Sequence, residues 1–155
     1  MTFIVRRRGA PMGRIIVPVT VTSLFEPGRE LRFDAVVDTG AYCLTLPAAW
    51  KDALGATPMV ERVDAELAFR RVVSGELRQP LKIQIDDFPP AAGEVLFIDM
   101  PPEEGGRCLP LIGYMTLEQS RIAVDMVAHR LHRIPRVDLK RALRAARAAA
   151  VMPLA

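Results

Sequence analysis

Asp38 is the residue best placed by type and spacing to do chemistry. It follows the apolar run Leu31-Arg32-Phe33-Asp34-Ala35-Val36-Val37 and opens the series Asp38-Thr39-Gly40-Ala41. A carboxylate that a strand delivers to a glycine turn can take a proton from water, and the glycine lets the backbone approach closely. A plainer role stands beside this one. Asp before Gly often accepts local N–H bonds in a turn, and Thr39 and Gly40 would then be simple turn residues. Asp34, Asp99 and Asp125 have no Thr-Gly context, and Asp125 reads as a turn acid beside the closing strands.

Other reactive side chains offer less. Cys43 and Cys108 fit neither a disulfide framework nor a metal cluster by spacing, which makes a reducing cytoplasm the expected compartment. Cys43 reads as a small buried hydrophobe, because nothing near it marks an activated thiolate. His129 and His132, three apart on an expected strand, face opposite sides and share no metal ion. No cofactor is expected. Asp-Thr-Gly also opens phosphate turns in two-lobed sugar kinases and actin-like ATPases, but this chain has 155 residues and nothing resembling a nucleotide glycine loop.

The elements that must position Asp38 are mainly β. From Gly13, Ile15, Val17, Val19 and Val21 alternate with Ile16, Pro18, Thr20 and Thr22, and Glu26-Pro27-Gly28 turns the chain into Leu31–Val37. Leu31, Phe33, Ala35 and Val37 share one face, so Asp38 arrives on the other at the strand's end. Leu44-Thr45-Leu46 resumes a strand, and Pro47 to Leu54 is expected as a short helix closed by Gly55, with Trp50 in the core. A hairpin is expected from Val63 to Leu77, turning around Arg71 to Gly75. Strands Leu81–Ile85 and Glu94–Ile98 follow, then a polar loop from Met100 to Gly106. Leu109 to Gly113, a helical turn from Tyr114 to Ser120, and closing strands Arg121–Val127 and Arg130–Ile134 end the domain near Pro135. Val137 to Val151 reads as a basic, Ala-rich helix.

Length and composition bound the rest. The chain is half hydrophobic and a quarter charged, which suits one well-buried domain over residues 13–135, with an N-terminal arm at 1–12 and a C-terminal helix and tail at 136–155. The net charge is +3, with Arg6 to Arg8 at one end and Lys140, Arg141, Arg144 and Arg147 at the other. No interleaved aromatics or recognition-helix pattern accompany them, so no nucleic-acid partner is expected. The uncharged stretches Ile15 to Phe25 and Thr39 to Trp50 fall short of the roughly 20 residues that span a bilayer. The arginines before Ile15 lead into strand-like alternation rather than a secretory signal.

Ala35-Val36-Val37-Asp38-Thr39-Gly40-Ala41 leading to Leu44-Thr45-Leu46-Pro47, then Leu109-Pro110-Leu111-Ile112-Gly113 with Leu117-Glu118 and Ile122-Ala123-Val124-Asp125 behind it, resembles the retropepsin-like aspartic proteases. These are the single-lobe relatives of the pepsins found in retroviruses, retroelements and many bacteria. The resemblance runs from about Gly13 to Pro135, and the abundance of Arg over Lys with many alanines fits the bacterial branch.

The resemblance implies a closed β-barrel of the acid protease fold and an aspartic endopeptidase acting on peptide or protein substrates. Two such carboxylates about 3 Å apart share one proton, so one takes a proton from water while the other donates to the carbonyl. The chain supplies one Asp-Thr-Gly, so the second carboxylate must be Asp38 of a second subunit across a twofold axis, and a homodimer becomes part of the mechanism. Thr39 would hydrogen-bond across that axis, Gly40 would let the loop donate to the carboxylate, Ala41 would continue the loop, and Gly113 would support it from within the subunit. Two departures remain. The family's glycine-bearing flap hairpin falls between Val63 and Leu77, where Ala68-Phe69-Arg70-Arg71-Val72-Val73-Ser74-Gly75 matches no standard flap, and its residues stay unassigned. Past Gly113 the family often carries a polar or charged residue and an Asp, where Tyr114, Met115 and Thr116 stand here. These departures keep open a second function, a dimeric binding or scaffold module of the same fold with weak or absent catalysis.

Overall fold

The computed structural model describes residues 13–103 and 105–135; the expected N-terminal arm and C-terminal helix lie outside the described residues. The chain is mainly β. Strand β1 (Ile16–Ser23) buries Val19 and Val21, and β2 (Glu30–Val37) buries Phe33 and Ala35, the alternation read from the sequence. They pair antiparallel from Ile16 opposite Val36 to Thr22 opposite Glu30. β3 (Leu44–Pro47) is buried throughout and runs parallel to β6 (Ala91–Ile98), with Leu44 opposite Val95 and Pro47 opposite Ile98. Pro47 is therefore the last strand residue rather than the first helical one. The helix that follows, Ala48–Leu54, is 3-10 and ends at Gly55, whose φ of 71° suits a residue without a Cβ.

β4 (Met59–Glu66) and β5 (Val72–Ile85) form one long hairpin. Its turn lies at Leu67–Arg71, closed by the Leu67 N–H donating to the Arg71 carbonyl, and not at Arg71–Gly75 as the sequence suggested. Gly75 misleads because it serves packing: it sits inside the ladder opposite Val63, and a Cβ there would lie 2.6 Å from Ile98 Cγ2. A register shift between Arg78 and Leu81 lets β5 serve several partners, so the expected separate strand Leu81–Ile85 is its second half. Beyond it come β7 (Leu111–Ile112), α1 (Tyr114–Gln119), and β8 (Ile122–Asp125) paired with β9 (Arg130–Arg133) in a small second sheet.

The large sheet has the order β1-β2-β7-β3-β6-β5-β4, and β1 also pairs with β5 from Val19 opposite Ile85 to Ser23 opposite Leu81. The pairings therefore run in a circuit of six strands that returns to β1, with β4 attached outside it. One core cluster joins Val19, Val21, Phe33, Leu44, Leu46, Leu81, Ile83, Val95, Phe97 and Ile112, with half-buried Trp50 packed on it and tilted 5.4 Å from Phe33. A second cluster joins Cys43, Leu77, Leu96 and Ile98 with Val63, Ala65, Leu67, Val73 and Met115. Fully burying each large side chain stabilises the fold by about 1.5–3 kcal/mol. Among the described residues, no helix is long and apolar enough to cross a membrane.

Candidate active site

β2 carries Asp38 to the point where β7 enters the sheet. β7 lies between β2 and β3, parallel to the first (Val36 opposite Leu111, Val37 opposite Ile112) and antiparallel to the second (Thr45 opposite Leu111). The Val36 N–H donates to the Pro110 carbonyl at 2.8 Å and the Asp38 N–H to the Ile112 carbonyl at 3.0 Å, so the backbone of Asp38 forms the last rung of this ladder. The chain then turns out of the sheet. The Ala41 N–H donates to the Asp38 carbonyl at 3.0 Å, and the Gly40 N–H donates to Asp38 Oδ1 at 2.9 Å. The carboxylate is thus oriented by its own loop. Asp38 and Ala41 are half-buried, and Thr39 and Gly40 are exposed.

The loop rests on Gly113 and α1. Gly113 is buried, and a Cβ on it would lie 2.4 Å from Cys43 N, 2.5 Å from the Tyr42 carbonyl carbon and 2.6 Å from the Ala41 oxygen. The backbones of the two segments touch there, which only glycine permits. Two N–H groups at the start of α1 complete the joint, Tyr114 donating to the Ala41 carbonyl at 3.0 Å and Met115 to the Tyr42 carbonyl at 2.9 Å. Buried Thr116 Oγ1 accepts the Leu44 N–H at 2.7 Å, and Thr45 Oγ1 donates to the Cys43 carbonyl at 3.1 Å. Four backbone groups of the segment 38–45, the N–H of Asp38 and Leu44 and the carbonyls of Ala41 and Tyr42, are therefore held by one distant stretch, residues 112–116. Asp38, Gly40, Ala41 and Gly113 come together in this joint, while Thr39 projects at the exposed end of the loop.

Sequence reasoning left several participants without a role. Tyr42 and Tyr114 flank the joint, their rings edge to face with centroids 5.8 Å apart and planes at 78°. A hydrogen bond to Glu94 pushes the Tyr42 phenol up to about 12, with partial burial and the Glu94 charge acting the same way. Thr116 appeared in the sequence only as a departure from a pattern. The signal was present in the tyrosine directly after Gly113 and the tyrosine four residues after Asp38, an aromatic at each end of the joint.

The remaining candidates have other employment. Asp125 Oδ1 accepts the N–H groups of Val127 and Ala128 at 3.0 and 2.8 Å, and Oδ2 lies 3.3 Å from His132 Nε2. Those bonds, Ala128 first and then His132, hold its carboxyl below the usual range. His129 lies in the turn before β9 rather than on the strand, with a φ of 51°. Cys43 is fully buried, and burial pushes its thiol up to about 12. A groove of about 660 Å³, lined among others by Arg14, Asp86, Asp87, His129 and Arg130, includes none of the loop residues 38–43. No protein-family model matches the chain, and no curated protein matches it.

Proposed function

We propose that the protein is an aspartic-type endopeptidase of the retropepsin-like class that works as a homodimer, each subunit contributing one Asp38. The observation that carries this reading is the Asp38 loop itself. A half-buried carboxylate, its Oδ1 held by the Gly40 N–H, stands at the end of a strand on a close-packed backbone joint that leaves no room for a side chain at Gly113. Rigid support of a small polar loop is what a preorganised general acid–base site requires. The circuit of strand pairings returning to β1 agrees with the closed barrel of that class.

In this mechanism two Asp38 carboxyl groups share one proton across the twofold axis. The ionised one takes a proton from water as the water oxygen attacks the peptide carbonyl carbon, and the protonated one gives its proton to the carbonyl oxygen. Collapse of the resulting diol breaks the C–N bond: the nitrogen leaves with the proton of one carboxyl while the other carboxylate takes a proton from a diol hydroxyl, which restores the single shared proton. One subunit holds half of this apparatus, so catalysis requires association. A second reading, a dimeric binding module of the same fold with weak catalysis, draws on the glycine-free turn Leu67–Arg71 and on the aromatic Tyr114.

The test is cleavage of peptide libraries by the wild type and by Asp38→Asn, each with and without pepstatin. Cleavage is expected to disappear in the variant while its unfolding midpoint stays near that of the wild type. Undiminished cleavage by Asp38→Asn, or a protein that stays monomeric while cleaving, would sink the proposal. A folded dimer with widely separated Asp38 carboxylates and no cleavage would favour the second reading.

A further inference from the structure

The tip of the β4–β5 hairpin contradicts its own sequence. Phe69 and Arg70 adopt φ of 64° and 58°, two successive left-handed positions where hairpins ordinarily use Gly, Asn or Asp. Left-handed backbone is costly for residues bearing a Cβ, and a bulky aromatic suits it poorly. The Phe69 side chain recovers nothing by packing, for it is 101% exposed. Arg70 and Arg71 are exposed beside it and make no ion pair among the described residues, and neighbouring Glu66 makes none with them. A strained turn thus holds out in water one aromatic ring and two guanidinium groups that have no ion pair among the described residues.

The end of the hairpin next to this turn is fastened close to the candidate site. Val63, Ala65, Leu67 and Val73 pack on the cluster that contains Cys43 and Met115, which adjoin the Asp38 loop and Gly113 respectively. The apolar anchor and the charged aromatic tip beyond it belong to one ladder running from Met59 opposite Gln79 to Glu66 opposite Val72.

We infer that Phe69, Arg70 and Arg71 form a docking element for an acidic polypeptide segment that carries a bulky apolar residue. This names the substrate class of the proposed peptidase and rests on that reading for its purpose. The ring supplies apolar and stacking contact, the guanidinium groups take carboxylates through paired N–H donors, and the turn, already bent, loses little freedom on binding.

Binding to the full-length Asp38→Asn chain separates this inference from the catalytic reading, because affinity is then read without cleavage. The probe is a fluorescein-labelled peptide with glutamates on both sides of a Phe-Leu pair, its anisotropy followed at low and high salt. Phe69→Ala is expected to weaken binding roughly tenfold. Arg70→Ser with Arg71→Ser is expected to weaken it roughly fivefold and to remove most of the salt dependence. The double variant Phe69→Gly with Arg70→Gly relieves the left-handed backbone, so it should unfold at a higher temperature than the parent while losing binding. Failure of the peptide to bind, equal affinity for a lysine-for-glutamate version, or indifference to all three variants overturns the inference. So does tighter, Phe69-dependent binding of a single-stranded oligonucleotide.

Discussion

The ring of Tyr42 meets the ring of Tyr114 edge to face, 5.8 Å between centroids, beside the two α1 N–H groups that hold the carbonyls of Ala41 and Tyr42. Side chains and backbone therefore tie the same two segments together. A double-mutant cycle with Tyr42→Leu and Tyr114→Leu in urea unfolding should give a coupling of about 1 kcal/mol. Strict additivity would mean that the rings contribute nothing to the joint.

The phenols report on the same place. The chain has two tyrosines, so phenolate absorbance resolves them directly. Tyr42 should titrate at about 12, and Glu94→Gln should bring it down toward an ordinary phenol. Because the folded protein holds this proton more tightly than the unfolded chain, the stabilisation is complete below the ordinary phenol value and is lost as pH climbs through about 12. A Tyr42 that titrates normally in the wild type contradicts the Glu94 bond.

Two glycines separate support from chemistry. Gly113→Ala drives a methyl group into the backbone of Tyr42 and Cys43 and should cost about 3 kcal/mol in urea unfolding. Gly40→Ala places its Cβ 3.2 Å from Asp38 Oδ1, a side-chain atom that can yield by a few tenths of an ångström. Stability should hardly change, whereas the proposed hydrolysis should fall roughly tenfold through the displaced carboxylate. Equal effects of the two substitutions on stability would refute this division.

Thiol labelling gives a further check on the core. Fully buried Cys43, its thiol pushed up to about 12, should resist a maleimide in the native protein, while half-buried Cys108 reacts. Both should label in denaturant. Native modification of Cys43 at a rate near that of Cys108 would show that the second cluster opens.

Arg78 ties β5 to the 3-10 helix and to β6. It pairs with Glu76, donates to the carbonyls of Lys51 and Gly55 at 3.3 and 3.1 Å, and lies over the ring of Phe97. Arg78→Ala should destabilise by about 2 kcal/mol, since it leaves Glu76 with Lys51 alone and takes the donor from the Lys51 and Gly55 carbonyls. The Arg78 guanidinium, with Lys51, holds the Glu76 carboxyl below its ordinary range. That stabilisation is present above the ordinary carboxylate value and is lost as pH falls through the lowered one, so Glu76→Gln should flatten the acid limb of stability against pH. An unchanged acid limb in Glu76→Gln would exclude the pair from acid unfolding.

Local alternation was enough to read β1, β2 and the arrival of Asp38 at a strand end, because those elements bury one face and alternate strictly. The helical turn expected after Gly113 is also present, as Tyr114–Gln119. Local alternation failed where a residue answers to distant neighbours. Gly75 looks like a turn and is a gap for Ile98; Pro47 looks like a helix start and pairs with Ile98 in a strand. The hairpin turn fell instead on Phe69 and Arg70, residues no turn propensity would select. The aromatic pair was invisible for a related reason, since Tyr42 and Tyr114 lie far apart in the chain and meet only once β7 is in place.

β7 has two residues, yet β2 and β3 are both hydrogen-bonded to it. So short a segment cannot form by itself, and it must come from late in the domain to fill a slot between strands that precede it by more than sixty residues. Folding is therefore expected to finish at Asp38. While the ribosome is still extending the chain, its acidic loop is an unbraced turn, and the proposed hydrolytic centre has no competent form that could attack unfinished neighbours. Pulse-labelled amide exchange during refolding should find the amides of Val36, Asp38 and Leu44 among the last to gain protection, well after those in the middle of β5 and β6.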